Sequence, residues 1–112
     1  MDIRYYLKNN SGKMPVKDQL NKLPADEKAD LLVRLDGISK YGFNYSRVQF
    51  KQVKGKLWEI KYKYKNQHRL LYCMKNSNLM VLLHYVKKKT QKLETKEREL
   101  AEKRMVEVLS EE

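Results

Sequence analysis

Six side chains in the second half of the chain have types and spacings suited to work on a phosphodiester: Glu59, Lys61, Lys63, Arg69, His84 and Lys88. A guanidinium can clamp two phosphate oxygens at once. Neighbouring ammonium groups stabilise the charge that grows on a phosphorane. An imidazole or carboxylate beside them can take a proton from a 2′-hydroxyl or return one to a 5′-leaving oxygen. Arg69, Lys61, His84, Lys88 and Glu59 are therefore the candidate catalytic group. Lys54 and Lys56 flank Gly55, and Lys87 and Lys89 flank Lys88. With Lys63, these four are read as contacts to an RNA backbone.

The charge around them points to the same partner. Between Phe50 and Lys96 stand twelve Lys and one Arg against two acids, Glu59 and Glu94, which together make up the whole formal net charge of +11. The flanks are balanced. Charge that served solubility alone would mix its signs, as the flanks do. A region of one sign marks a surface for a polyanion.

Bringing these groups together requires a sheet in a defined register. Leu57 to Tyr64 alternates, with Trp58, Ile60, Tyr62 and Tyr64 on one side and Glu59, Lys61 and Lys63 on the other. That spacing predicts a strand with one apolar and one wet face. Phe50–Val53, His68–Met74 and Leu79–Val86 are predicted to join it in an antiparallel meander. Pairing Tyr64 with His68, and Met74 with Leu79, buries the aromatic row with Leu70, Tyr72 and Met74. Leu79, Val81, Leu83 and Tyr85 then complete the same face. The opposite, open face gathers Glu59, Lys61, Lys63, Arg69, Leu71, Cys73, Met80, Leu82, His84 and Val86, with Lys88 at the strand end. Arg69 is then flanked by Lys63 and His84. A slip of one residue would invert this arrangement.

The remaining elements are predicted from their spacing. Asp2 to Lys8 reads as a short strand. Pro15 to Leu23 reads as a helix with Val16, Leu20 and Leu23 on one face. Pro24 opens a second helix, carrying Leu31, Leu35 and Ile38 and stopped by Gly42. Thr95 caps a final helix reaching about Leu109, with Leu100, Ala101, Met105 and Val108 on its apolar face. The expected fold class is α+β: an antiparallel sheet of about four to five strands, two N-terminal helices on one face and a C-terminal helix.

At 112 residues the chain is one domain, residues 1–112. A single cysteine excludes a disulfide framework and a cysteine-based structural zinc site. No metal or other cofactor is expected. No apolar run approaches the ~18 residues of a membrane span. Asp2 and Arg4 stand where a signal peptide needs an apolar stretch, so a cytoplasmic protein with no membrane partner is expected. Trp58 and the alternating tyrosines are read as core, not as base-stacking platforms. Cys73 is read as a small buried hydrophobe. Glu59 is read either as a general base or as the partner that orients Arg69 or Lys61.

The strings LWEIKYKYKNQHRLLYCM and VLLHYVKKKTQK also resemble the phage-derived Gp49-like, HigB-type branch of the RelE/HigB toxin superfamily, over roughly Leu57 to Leu109. The resemblance implies the toxin of a type II toxin–antitoxin system. It implies a ribosome-dependent mRNA endoribonuclease that inhibits translation by cutting mRNA in the ribosomal A site. It also implies a cognate helix-turn-helix antitoxin of the HigA type. By position it makes Lys61 and Arg69 the family's basic strand residues and Glu59 its Trp-Glu acid. Lys88, or its neighbours Lys87 and Lys89, matches the basic residue after the last strand. Some relatives carry a catalytic tyrosine near the C-terminus, and this chain has none after Tyr85, so the general base stays open. Two other readings remain at this point: a non-catalytic RNA- or ribosome-binding module, and a ParE-like gyrase-inhibiting toxin on the same fold.

Overall fold

The alternating run folds as a strand with the predicted bounds, β3 (Leu57–Tyr64), and the rest of the sheet grows around it. The computed structural model describes residues 1–9, 11–88 and 92–111. The other strands are β1 (Asp2–Tyr5), β2 (Gln49–Lys54), β4 (Asn66–Asn76) and β5 (Leu79–Lys88). The helices are α1 (Pro15–Asn21), α2 (Ala25–Tyr41) and α3 (Thr95–Ser110). The sheet order is β1-β5-β4-β3-β2. β2 to β5 form the expected antiparallel meander. β1 instead lies parallel to β5, from Asp2 opposite Leu79 to Tyr5 opposite Leu82, so the sheet is mixed. A parallel pair needs a long crossover, and α1, α2 and three strands supply it.

Helices α1 and α2 cover one face, as predicted. Val16, Leu20, Leu31, Leu35 and Ile38 pack on Ile60, Tyr62, Leu70, Tyr72, Met80 and Leu82. Gly42 ends α2 with φ +59°, a conformation that favours glycine, and its N–H bonds the carbonyl of Ile38. Within α2, Gly37 has a different task. A Cβ there would collide with the Tyr45 ring, so the missing side chain is what lets that ring lie on the helix.

The second face is not open, contrary to the sequence expectation. α3 lies across it, and Ala101 and Val108 bury Leu57, Leu71, Cys73, Leu79, Val81 and Leu83. The apolar stripe of α3 needs a surface, and this face carries the apolar residues that provide one. Arg104 fastens the helix by donating to the carbonyl of Leu83 at 2.8 Å.

Two registers differ from the expectation, with opposite consequences. β3 and β4 pair as Lys61↔Arg69 and Tyr62↔His68, down to Tyr64↔Asn66 around Lys65. The expected pairing was two residues away. An even shift leaves every side chain on its expected face. The tight turn holds Lys65 at φ +64°, and its ammonium is fixed by the carboxylate of Asp26. In β5, Leu71 pairs with His84 but Tyr72 pairs with Leu82, so Leu83 is the extra residue of a bulge. The bulge shifts the first half of β5 by one. Met80 and Leu82 therefore enter the core under α1 and α2, while Leu79, Val81 and Leu83 turn to α3. Each was expected on the other face.

Candidate functional site

Glu59, Lys61 and Arg69 meet because β3 and β4 place them on adjacent rungs of the same face. Arg69 Nη1 lies 3.3 Å from one carboxylate oxygen of Glu59 and 3.5 Å from the other. Both residues are only 5% exposed. The second terminal nitrogen of Arg69, Nη2, is buried and has no hydrogen-bond partner among the described residues. β2 brings a further cation that sequence reasoning missed: Lys51 is the rung partner of Glu59. Its signal was weak, since β2 has no clean alternation. Lys61 is held below its ordinary pKa by burial first, then by Arg69 and Lys51, with Glu59 pulling the other way. Three cations around one carboxylate make a locus of positive potential at this end of the sheet.

His84 shares this face but not the rung of Arg69, whose partner on β5 is Val86. His84 is 7% exposed. Its Nε2 donates to the carboxylate of Glu97, in the first turn of α3, and its Nδ1 is buried without a partner among the described residues. Glu97 was also missed. Its signal was present: it stands four residues before Ala101, on the buried stripe of the helix.

The other candidates disperse. Lys63 is exposed and opposite Gln67, and the main chain of Lys88 is paired with the same Gln67. Lys54 and Lys56 are exposed at the far end of β3, around the β2–β3 turn. Lys87 pairs with His68, on the face covered by α1 and α2, and its ammonium lies 2.8 Å from Glu27. Lys89 lies outside the described residues.

His68 is on the core face, as the register required. Its Nδ1 is 2.6 Å from the Tyr85 hydroxyl, its Nε2 donates to the Tyr64 carbonyl at 2.9 Å, and its ring stacks on Tyr62. Cys73 is fully buried, and burial pushes its thiol up to about 11, which removes it as a nucleophile at neutral pH. Trp58 departs from the core expectation. It is 36% exposed and lines an apolar cleft with Phe43, Phe50, Tyr72 and Met74. Among the described residues no group of three or more His, Cys, Asp or Glu is placed to hold a metal ion. None of the described helices is long and apolar enough to cross a membrane.

Fold and charge together define a small basic α+β domain with a cation cluster at one end of a five-stranded mixed sheet. The chain belongs to the family described as phage derived protein Gp49-like (DUF891), whose model matches residues 18–106. The matched span runs from α1 into α3 and includes Lys51, Glu59, Lys61, Arg69, His84 and Glu97. No curated protein matches the sequence. Family membership suggests a toxin of the toxin–antitoxin kind, and with it an antitoxin partner.

Proposed function

We propose that this chain is a ribosome-dependent mRNA endoribonuclease, the toxin of a type II pair, neutralised by a helix-turn-helix antitoxin of the HigA type. The observation that carries this reading is the group Lys51, Lys61 and Arg69 around Glu59. Arg69, through its free nitrogen, and Lys61 bind the scissile phosphate. Glu59 positions the guanidinium. The 2′-oxygen attacks phosphorus, the new O2′–P bond forms, and the P–O5′ bond breaks. A 2′,3′-cyclic phosphate and a 5′-hydroxyl result. His84 takes the 2′-proton: with Nε2–H on Glu97, its Nδ1 carries the lone pair. Lys88 supplies a proton to the leaving oxygen. Arg69 Nη2 and His84 Nδ1 are both buried, so substrate reaches them only when neighbouring side chains give way, with Glu97 still on His84. A site of this kind depends on having its substrate held in place, which suits action on the ribosome.

The same enclosure favours a second reading, a non-catalytic RNA- or ribosome-binding module, in which exposed lysines bind phosphate and no proton moves. The two readings separate on induction of wild type and Arg69→Ala in a bacterial host, with growth and mRNA 5′ ends followed together. Growth arrest with new 5′ ends at translated codons, lost in Arg69→Ala, is the expected result. The pair Glu59→Gln/Arg69→Gln, which leaves no lone buried charge, guards against loss through misfolding. Arrest with intact mRNA sinks the ribonuclease reading. If gyrase cleavage complexes accompany it, the protein is a gyrase inhibitor instead.

A further inference from the structure

β2 begins at Gln49, opposite Lys61, while β3 continues to Tyr64. The outer edge of β3 is therefore uncovered beyond that rung. Between this edge, α2 and the segment leading into β2 lies a cleft of about 410 Å³ lined by Arg34, Arg47, Lys61, Tyr62, Lys63 and Gln67, among others. No lining residue is acidic. Arg34 forms a fixed wall. Its Nε donates to Asp30 at 2.8 Å, a second nitrogen donates to the Arg47 carbonyl, and its guanidinium sits 4.3 Å over the Tyr62 ring. The other three cations are uncommitted: none of the ion pairs among the described residues involves Arg47, Lys61 or Lys63. The nearest acid, Asp30, is taken up by the Nε of Arg34.

We infer that this cleft is a second phosphate-binding site, in which Arg47, Lys61 and Lys63 hold the RNA phosphate adjacent to the one at Arg69. The inference rests on the RNA-directed reading above and extends it to residues of α2 and of the segment before β2. Lys61 belongs to both sites. Anions held at the two sites are therefore neighbours, as consecutive phosphates of one strand are. Arg47 and Lys63 are exposed at the mouth and can reach the backbone without neighbouring side chains giving way. The site fixes position along the strand and does not read bases.

The test is fluorescence-anisotropy binding of a short unstructured oligouridylate in its 2′-O-methyl form, which attack by a 2′-oxygen cannot cleave. It is run at several salt concentrations with wild type, Arg47→Gln, Lys63→Gln and, as a charge-matched control away from the cleft, Lys22→Gln. Thermal melts confirm that the variants fold. Arg47→Gln and Lys63→Gln are each expected to weaken binding severalfold and to reduce the slope of log K against log salt by about 0.7. Lys22→Gln is expected to leave the slope unchanged. Slopes for Arg47→Gln and Lys63→Gln equal to that of Lys22→Gln overturn the inference and leave the cleft to acidic groups of a protein partner. Because no cleavage is measured, a protein that binds in this way but cuts no mRNA fails only as a ribonuclease. A wild type that binds no RNA overturns the inference, while the ribonuclease reading stands or falls on the induction experiment above.

Discussion

His84 and Glu97 are joined across the boundary between sheet and helix, Nε2 to carboxylate, so the first turn of α3 is held on β5 by a part-buried polar bond. Removing Glu97 strands the His84 imidazole, which is 7% exposed, away from water. Glu97→Ala is expected to cost about 1–3 kcal/mol in denaturant unfolding. The double replacement His84→Leu/Glu97→Leu is expected to cost less than the two single losses added, because it strands nothing. Strict additivity of the two losses would show that the bond does not form in solution.

Among the described residues, Glu59 is the carboxylate that Lys51, Lys61 and Arg69 surround. Glu59→Gln keeps its shape and removes its charge. Affinity for single-stranded RNA is expected to rise by up to about fivefold, equivalent to about 1 kcal/mol. Stability is expected to fall, since Arg69 loses its charged partner. Weaker RNA binding in a folded Glu59→Gln protein would mean that Glu59 orders Arg69 for the phosphate more than it opposes the phosphate.

Gly37→Ala reverses an ordinary rule. In an exposed helix interior alanine is better than glycine by about 1 kcal/mol. Here the added methyl meets the Tyr45 ring. The expected outcome is destabilisation by about 1–3 kcal/mol. Gly37→Ala in a Tyr45→Ala background is expected to recover the helix gain. A melt that rises in the single variant would mean that the ring moves aside freely.

The pH dependence has a defined sign. Burial raises the Cys73 thiol from 9.0 to about 11, and burial with the Glu107 hydrogen bond raises the Tyr6 phenol from 10.0 to about 12. Both groups keep their protons longer in the folded state, so their contribution is complete below the unfolded pKa and is lost as pH rises through the folded one. For the thiol that window runs from about 9 to 11, with a loss on the order of 2 kcal/mol across it. Lys61, which is lowered, works in the opposite sense. Cys73→Ala is expected to flatten the alkaline fall in stability measured by urea unfolding. In the native wild type at pH 8, a thiol reagent is expected to react only at the rate of unfolding. Prompt reaction would place Cys73 at the surface.

What the sequence could say depended on alternation. Leu57–Tyr64 switches apolar and charged residues at every step, so its faces were legible, and the two-residue difference in pairing to β4 could not change them. The Glu59–Arg69 pair follows from that parity. Leu79 to Leu83 is apolar at every position, so nothing in it told the α1–α2 face from the α3 face. The bulge at Leu83 carries no glycine or proline to announce it. The stripe on α3 was legible, but its landing place was not, because that is decided by which sheet face carries apolar side chains after the bulge. Glu97 became a site residue only through that landing. Arg34 and Arg47 come from α2 and the approach to β2, far in sequence from Lys61 and Lys63, and no local pattern joins them.

The parallel pairing of β1 with β5 carries a consequence for biosynthesis. Asp2 needs Leu79, and Tyr5 needs Leu82, so β1 is seated only after the other four strands of this sheet have been made. Its contacts are among the most non-local in the molecule, and contacts of that kind form slowly. The hairpins that carry Lys51, Glu59, Lys61 and Arg69 close locally and can assemble while β1 is still waiting. During translation the cation group is therefore built before the sheet is complete. A nascent chain remains without its edge strand until β5 has emerged to receive it.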